Sequence, residues 1–505
     1  MYIRRVLSVL TTAVVLVGVA DRADARDAPA VRRLSDTSPF PADCIVDTPG
    51  SINYPNAEVE PWLSVDPDDR EHMTAVWQQD RWNDGGARGL AGAVTRDGGR
   101  TWTRTFGHFT RCSGGTAANG GDFERASDPW VSIGRDGVAH QIALSFNNTD
   151  AREAILYSRS PDGGRTWGEP VTLTSDTSPL AGLDKESITA DPKRARFVYA
   201  TWDRSSTEAG PFTEPTWFTR STDGGRTWEP VRIIYDPGID NGTIGNQIVV
   251  LPNGDLLNVM AVFVGADIKL AVLRSTDRGA TWSAPLFIDD IGTIGITDAK
   301  TGEPVRTSDF LPDIAVDPRT GRTYIVWQDA RPSGGRRDGI VISSSADGGR
   351  TWSSPVQVNG APQAQAFTPS VDVDRDGKVA VGYYDFRNDS TDPAVLLTNT
   401  WLATSRDRGQ TFTDRAVGST FDMRTAPDAG GFFVGDYQGL DHTDEGFAWL
   451  YVAANSGDLV NRTDVFISLP GDGGRDTGGG RGEDNNPTPR SARQLLDDHH
   501  RRSAR

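Results

Sequence analysis

Cysteine is nearly absent from this chain: there are two in 505 residues, Cys44 and Cys112. No C-x-x-C pair exists, and the six histidines include no H-x-x-x-H, so a zinc site has no ligand spacing to rest on. The two cysteines are either buried thiols or one bridge from the N-terminal segment to the loop after the first repeat, and export favours the bridge. Basic charge is in deficit too, with 52 Lys and Arg against 69 Asp and Glu and a net charge of −17. That excludes the basic footprint of a nucleic-acid binder, although a local arginine cluster could still hold an anionic small substrate. Long apolar runs are missing apart from Val6–Ala20, which is too short for a good membrane span. That run follows Arg4 and Arg5 and precedes Ala23-Asp24-Ala25, the pattern of a secretory signal cleaved after Ala25, so residues 1–25 are expected to be removed from a secreted protein. No nucleotide-cradling glycine loop, G-x-S-x-G elbow or D-x-D-x-D-G calcium loop occurs, and no cofactor or metal is expected.

Turn residues are plentiful: 55 Gly and 30 Pro, beside 9% aromatics, suit a large all-β protein. The phrase S/T-x-D-x-G-x-T-W/F recurs six times, with its aspartate at Asp97, Asp162, Asp223, Asp277, Asp347 and Asp407. Such self-similarity marks one supersecondary unit copied along the chain. Each copy has the chemistry of a tight turn. The carboxylate accepts from nearby amides, the glycines take positive φ, and the Trp or Phe anchors the turn. Apolar, β-branched runs flank every copy, so the phrase joins two strands of a hairpin. Six equal copies read as staples of the fold, because an active site needs unlike residues converging once.

Each unit opens with a strand, a D-P or D-G turn and a second strand, as in EPWLSVDPDDREHMTAVW from Glu60 and DPWVSIGRDGVAHQIALSF from Asp128. Seven such openings occur, and the last, from Gly435, lacks the aspartate phrase. The predicted architecture is a β-propeller of four-stranded blades, seven in number with six as the alternative. A segment near Cys44–Val46 is expected to complete the last blade. Residues 26–41 read as a linker, 42–470 as the propeller, and 471–505, rich in Gly and mixed charge, as a disordered tail.

The D-P turns and aspartate phrases fall on one face of such a fold. The loops on the other face are more polar and repeat an acid–arginine theme. They carry Asp80, Arg81 and Asp84; Glu124, Arg125 and Asp128; Asp184 and Glu186; Asp203 and Arg204; Asp329, Arg331 and Asp338; Asp385 and Arg387; Asp436 and Tyr437. Arginines aimed at an axis would suit a carboxylate, whereas arginines paired with the acids beside them would lock neighbouring blades.

The repeated phrase resembles the Asp box of exo-sialidases (neuraminidases) and their BNR-repeat relatives. The resemblance implies a secreted, monomeric glycoside hydrolase of the exo-alpha-sialidase type, acting on a terminal acidic glycan. YQGLDHTDEGFAWLY is similar to the strand that carries the family's nucleophile and nominates Tyr437, with Glu186 as its base. DRWNDGG nominates Asp84 as the general acid, and WQDARPSGGRRDG offers Asp338 in the same role. Arg81, Arg125, Arg331 and Arg387 become the substrate clamps. The chain departs from the family at two motifs: F/Y-R-I-P is absent, and Gln247 stands where a glutamate base is usual. A polysaccharide lyase using Tyr437 as base, another glycosidase, and a non-catalytic carbohydrate- or protein-binding propeller are the alternatives on this fold.

Overall fold

The computed structural model describes residues 30–44 and 49–470. The expected signal segment and C-terminal tail lie outside the described residues. Each sequence repeat folds as four antiparallel strands. The first comprises Glu58–Val65, Met73–Arg81, Ala87–Thr95 and Thr103–Thr105. Its first two strands are joined by the D-P turn and its last two by the first aspartate box. Six further four-stranded units follow among the described residues, opening at Arg125–Ile133, Ala181–Ala190, Asn241–Val250, Asp313–Val316, Ala366–Val373 and Gly439–His442. The first two units share one sheet through a single pair, Ala87 with Ala126.

The box turns close as their chemistry dictates. In the third unit, Asp223 Oδ1 accepts from Thr227 N at 2.9 Å and from Ser221 Oγ at 2.8 Å, and Gly225 N donates to Ser221 Oγ at 2.9 Å. The terminal aromatics Trp102, Trp167, Trp228, Trp282, Trp352 and Phe412 are all half-buried against the cores between sheets. The boxes also join neighbouring units: His72, in the first D-P turn, meets the carbonyl of Gly163 in the second box at 2.7 Å.

The second strands of the first, fifth and sixth units, Met73–Arg81, Thr323–Asp329 and Val379–Asp385, are buried along their whole length. Trp77, Trp202 and Trp327 fill matching places on three second strands and are fully buried. Each such side chain contributes a few kcal/mol of hydrophobic stabilisation. The opening strand of each unit contacts that of the next, and Gly439–His442 contacts Glu58–Val65. Between these strands runs a channel, with Ser64, Ser132, Thr189, Val249, Ala315, Asp372 and Asp441 on its wall.

The N-terminal segment departs from the expected linker. Ala30–Arg33 pairs antiparallel with Thr463–Leu469, so the fourth strand of the last unit comes from residues upstream of Cys44, not from Cys44–Val46. Cys44 instead forms a disulfide with Cys112, which sits on the short 3-10 turn Arg111–Ser113. A small extra sheet of Ile296–Thr297, Pro304–Arg306 and Phe432–Phe433 ties the loop before the fifth unit to the loop before the last.

Candidate active site

Five opening strands carry a bulge at the same place, between Val59 and Trp62, Ser127 and Trp130, Asp184 and Ser187, Ile244 and Gln247, and Phe367 and Ser370. Each bulge holds a residue at positive φ: Glu60, Asp128, Lys185, Gly245 and Thr368. A bulge re-aims the side chains around it. Positive φ is costly for any residue but glycine, so four of the five positions hold strained backbone at one end of the axis.

There Lys185 Nζ lies 2.6 Å from Asp128 Oδ1, 3.0 Å from Asp436 Oδ2 and 3.7 Å from Glu60 Oε1. Arg306, carried on the small extra sheet, reaches Asp436 Oδ2 at 2.9 Å. Burial alone would discharge Lys185, yet the carboxylates of Asp128, Asp436 and Glu60 outweigh it and raise its pKa well above the ordinary value. Burial works against the Asp436 carboxylate, but Lys185 and Arg306 overcome it and hold its pKa low. Glu60 is pushed up to about 8 by burial and then by Asp128.

Tyr437 and Glu186 line the same cavity as this cluster, together with Trp62, Trp130 and Gln438. The Tyr437 ring stands 5.3 Å from that of Trp130 and 6.0 Å from that of Trp62, and the Lys185 ammonium lies 5.6 Å from its centroid. Its hydroxyl donates to the Pro129 carbonyl at 3.4 Å. Burial, then the surrounding Glu60, Asp128, Glu186 and Asp436, push the phenol well above its ordinary pKa. Glu186 is 2% exposed, and neither of its carboxyl oxygens has a hydrogen-bond partner. Burial and the nearby Asp128 raise its pKa well above the carboxylate range, which favours its neutral form.

The other nominated residues stand elsewhere. Asp84 does not line this cavity; it accepts from Arg125 Nη1 at 2.7 Å. Arg125 also donates to the Gly85 carbonyl and lies 4.3 Å from the Trp82 ring centroid. Asp338 is buried and accepts from Thr293 Oγ1 at 2.6 Å and Ile294 N at 3.0 Å, away from Tyr437. Arg331 is held by Asp329 and by Asp289 at 2.7 Å. Arg387 is held by Asp385 and by Asp414 at 2.7 Å, and lies 3.5 Å from the Trp401 ring centroid. Arg81 is nearest to the cluster, yet it is buried behind it: its Nη1 donates to Gln78 Oε1 at 2.9 Å, and Gln78 in turn donates to Glu60. The arginine clamp expected from the sequence is therefore not assembled at Tyr437, because each arginine is engaged elsewhere: Arg81 by Gln78, Arg125 by Asp84, Arg331 by Asp329 and Asp289, and Arg387 by Asp385 and Asp414. The residues that do gather there and were not foreseen are Lys185, Glu60 and Arg306. The acid-Pro-Trp repeats at Glu60-Pro61-Trp62 and Asp128-Pro129-Trp130 are the sequence signal that marked two of the bulges.

The chain belongs to the BNR repeat-like domain family, which it matches over residues 140–381 and, overlapping, 196–432. A sialidase of Micromonospora viridifaciens is 30% identical over 228 residues, covering 41% of this chain and 32% of that protein. Xyloglucanase Xgh74A of Acetivibrio thermocellus is 26% identical over 236 residues, covering 41% of this chain and 25% of that protein. The chain thus spans about a third or less of the length of these curated relatives. Among solved structures, the Hadza microbial sialidase Hz136 is similar with a TM-score of 0.44 at 17% identity, over 80% of this chain and 74% of that one. A Penicillium chrysogenum alpha-L-arabinanase is similar with a TM-score of 0.43 at 13% identity, over 68% of this chain and 93% of that one.

Proposed function

We propose that this chain is a secreted, sialidase-like glycoside hydrolase whose seven units form the blades of a closed propeller, with its chemistry in the axial cavity. The contact of each opening strand with the next supports the ring. The signal-like N-terminus and the Cys44–Cys112 bridge support export. One observation carries the catalytic reading: Tyr437 shares a buried cavity with a glutamate, Glu186, whose carboxyl group is left unpaired. Buried groups without partners are rare, and at a cavity wall they point to a ligand.

The burial that favours the protonated form of Glu186 suits it to give a proton rather than take one, so in this reading it replaces Asp84 as the acid. Tyr437 attacks the anomeric carbon as its proton passes to Asp128. Glu186 protonates the departing glycosidic oxygen, and Asp436 faces the positive charge that develops on the sugar. Water then releases the sugar from Tyr437, its proton going to the Glu186 carboxylate, and Asp128 returns the first proton to the Tyr437 phenolate. Turnover of a panel of fluorogenic glycosides by the chain from Arg26 onward tests this. Tyr437→Phe and Glu186→Gln should each lose at least about 100-fold in kcat, while Asp84→Asn retains it. Full turnover in both site variants overturns the reading.

A second reading, binding without hydrolysis, is favoured by the pairing of Arg125, Arg331 and Arg387 with carboxylates. It requires glycan binding with no turnover of any panel member.

A further inference from the structure

The polar atoms that the axial cavity leaves free say which sugar it suits. Lys185 is the sole cation on the cavity wall among the described residues, beside Asp128, Glu186, Asp313 and Asp436. That ammonium is already taken by Asp128 and Asp436 at hydrogen-bond distance. Arg306, next to the wall, spends its guanidinium on Asp436 and on the Ala429 carbonyl and lies 4.7 Å from the Phe433 ring centroid. An incoming carboxylate would therefore meet like charge and no free guanidinium fork.

The wall does offer unpaired groups. Both carboxyl oxygens of Glu186, Oε1 of Gln438 and Oγ1 of Thr368 are buried without a hydrogen-bond partner. These residues are 2%, 1% and 2% exposed. The Gln438 amide nitrogen is already donated to the Thr368 carbonyl, so its oxygen is what remains to be satisfied. Three of these four atoms are acceptors when Glu186 is ionised, and two remain so when it is neutral. Carboxylates and amide oxygens need O–H or N–H donors, which the hydroxyls of any sugar supply, whereas the carboxylate of an acidic sugar adds only acceptors. The remaining wall is aromatic: Trp62 and Trp130 are stacked with centroids 3.4 Å apart, and Tyr437 stands across them. An apolar ring face fits such a surface.

We propose that the axial cavity takes an uncharged, hydroxyl-rich glycan and discriminates against sialic acids and uronates. The inference rests on the reading of this cavity as the glycan site. It revises the acidic substrate that the family resemblance implies.

The test is calorimetric binding and turnover measured side by side on the whole chain from Arg26. The probes are arabinobiose, cellobiose, 3'-sialyllactose and a glucuronic acid disaccharide for binding, with the matching fluorogenic glycosides for turnover. Binding of a neutral probe at least about tenfold tighter than either acidic one is expected. Gln438→Leu and Thr368→Val should each weaken that neutral ligand severalfold. Comparable or better binding or turnover of an acidic probe overturns the substrate class and leaves hydrolysis standing. Neutral binding without any turnover, even of the neutral glycosides, upholds the substrate class and overturns hydrolysis. No binding by any probe, or neutral binding that both variants leave intact, overturns the proposal.

Discussion

Lys185 Nζ and Asp128 Oδ1 stand 2.6 Å apart, each on the bulge of a neighbouring opening strand, so one ion pair locks the second and third units at the axis. Asp436 and Glu60 share the same ammonium from two further units. Removing a buried cation leaves its partners as uncompensated charge. Lys185→Met should cost about 3–5 kcal/mol by urea unfolding. A loss below about 1 kcal/mol would mean that the cluster is solvated well enough to stand without it.

Glu186 has a pKa raised well above its unfolded value, so its favourable contribution is complete below the unfolded pKa and is lost as pH rises through the folded one. Glu186→Gln removes that dependence. The variant should gain stability relative to wild type as pH is raised from about 5 upward. Thermal unfolding across this range checks it; parallel curves for the two proteins would show that Glu186 is ionised throughout.

His442 lies beside Arg70 and next to Asp372 and Asp441, two of the residues on the channel wall. Burial disfavours its charged ring, but Asp372 at 2.8 Å and Asp441 at 3.5 Å outweigh both burial and Arg70, and its pKa is raised. The stability it lends is full below the unfolded pKa of about 6.5 and fades as pH climbs through the raised folded value. Asp372→Asn should flatten the decline in stability above neutral pH. An imidazole titration followed by NMR should show the His442 pKa falling in the same variant.

The Cys44–Cys112 bridge closes a separation of 68 residues. Restricting a loop of that length in the unfolded chain is worth up to about 4 kcal/mol on the chain-entropy account. Cys44→Ser with Cys112→Ser should lower the midpoint of urea unfolding and steepen the slope as the unfolded chain expands, and reductant should do the same to the wild type.

The turns were legible because their chemistry is complete within eight residues: Asp223, Ser221, Gly225 and Thr227 are neighbours in sequence and in space. Tyr437 was nominated through family resemblance, and Glu186 only as a stand-in for the glutamate that Gln247 replaces; both line one cavity. Lys185 was not legible, because nothing local distinguishes a lysine at positive φ, and its partner Asp436 lies 251 residues away. The arginines misled for the reverse reason. Asp385 and Arg387 stand out in the sequence because they are two residues apart, and that closeness is what lets them pair with each other. The strand Ala30–Arg33 was hidden because it is an outer strand, half-buried at its start and exposed at its end, with little pattern for the eye to find.

That outer strand sets an order of events during synthesis. Arg33 meets Asp464 across 431 residues, so an earlier-made part of the chain must wait for a part made much later. Until Leu469 has left the ribosome, the early strand has no edge to join, and contacts over such spans form slowly. A chain shortened past Arg33 would leave Thr463–Leu469 as a bare edge, open to the same strand of a second molecule.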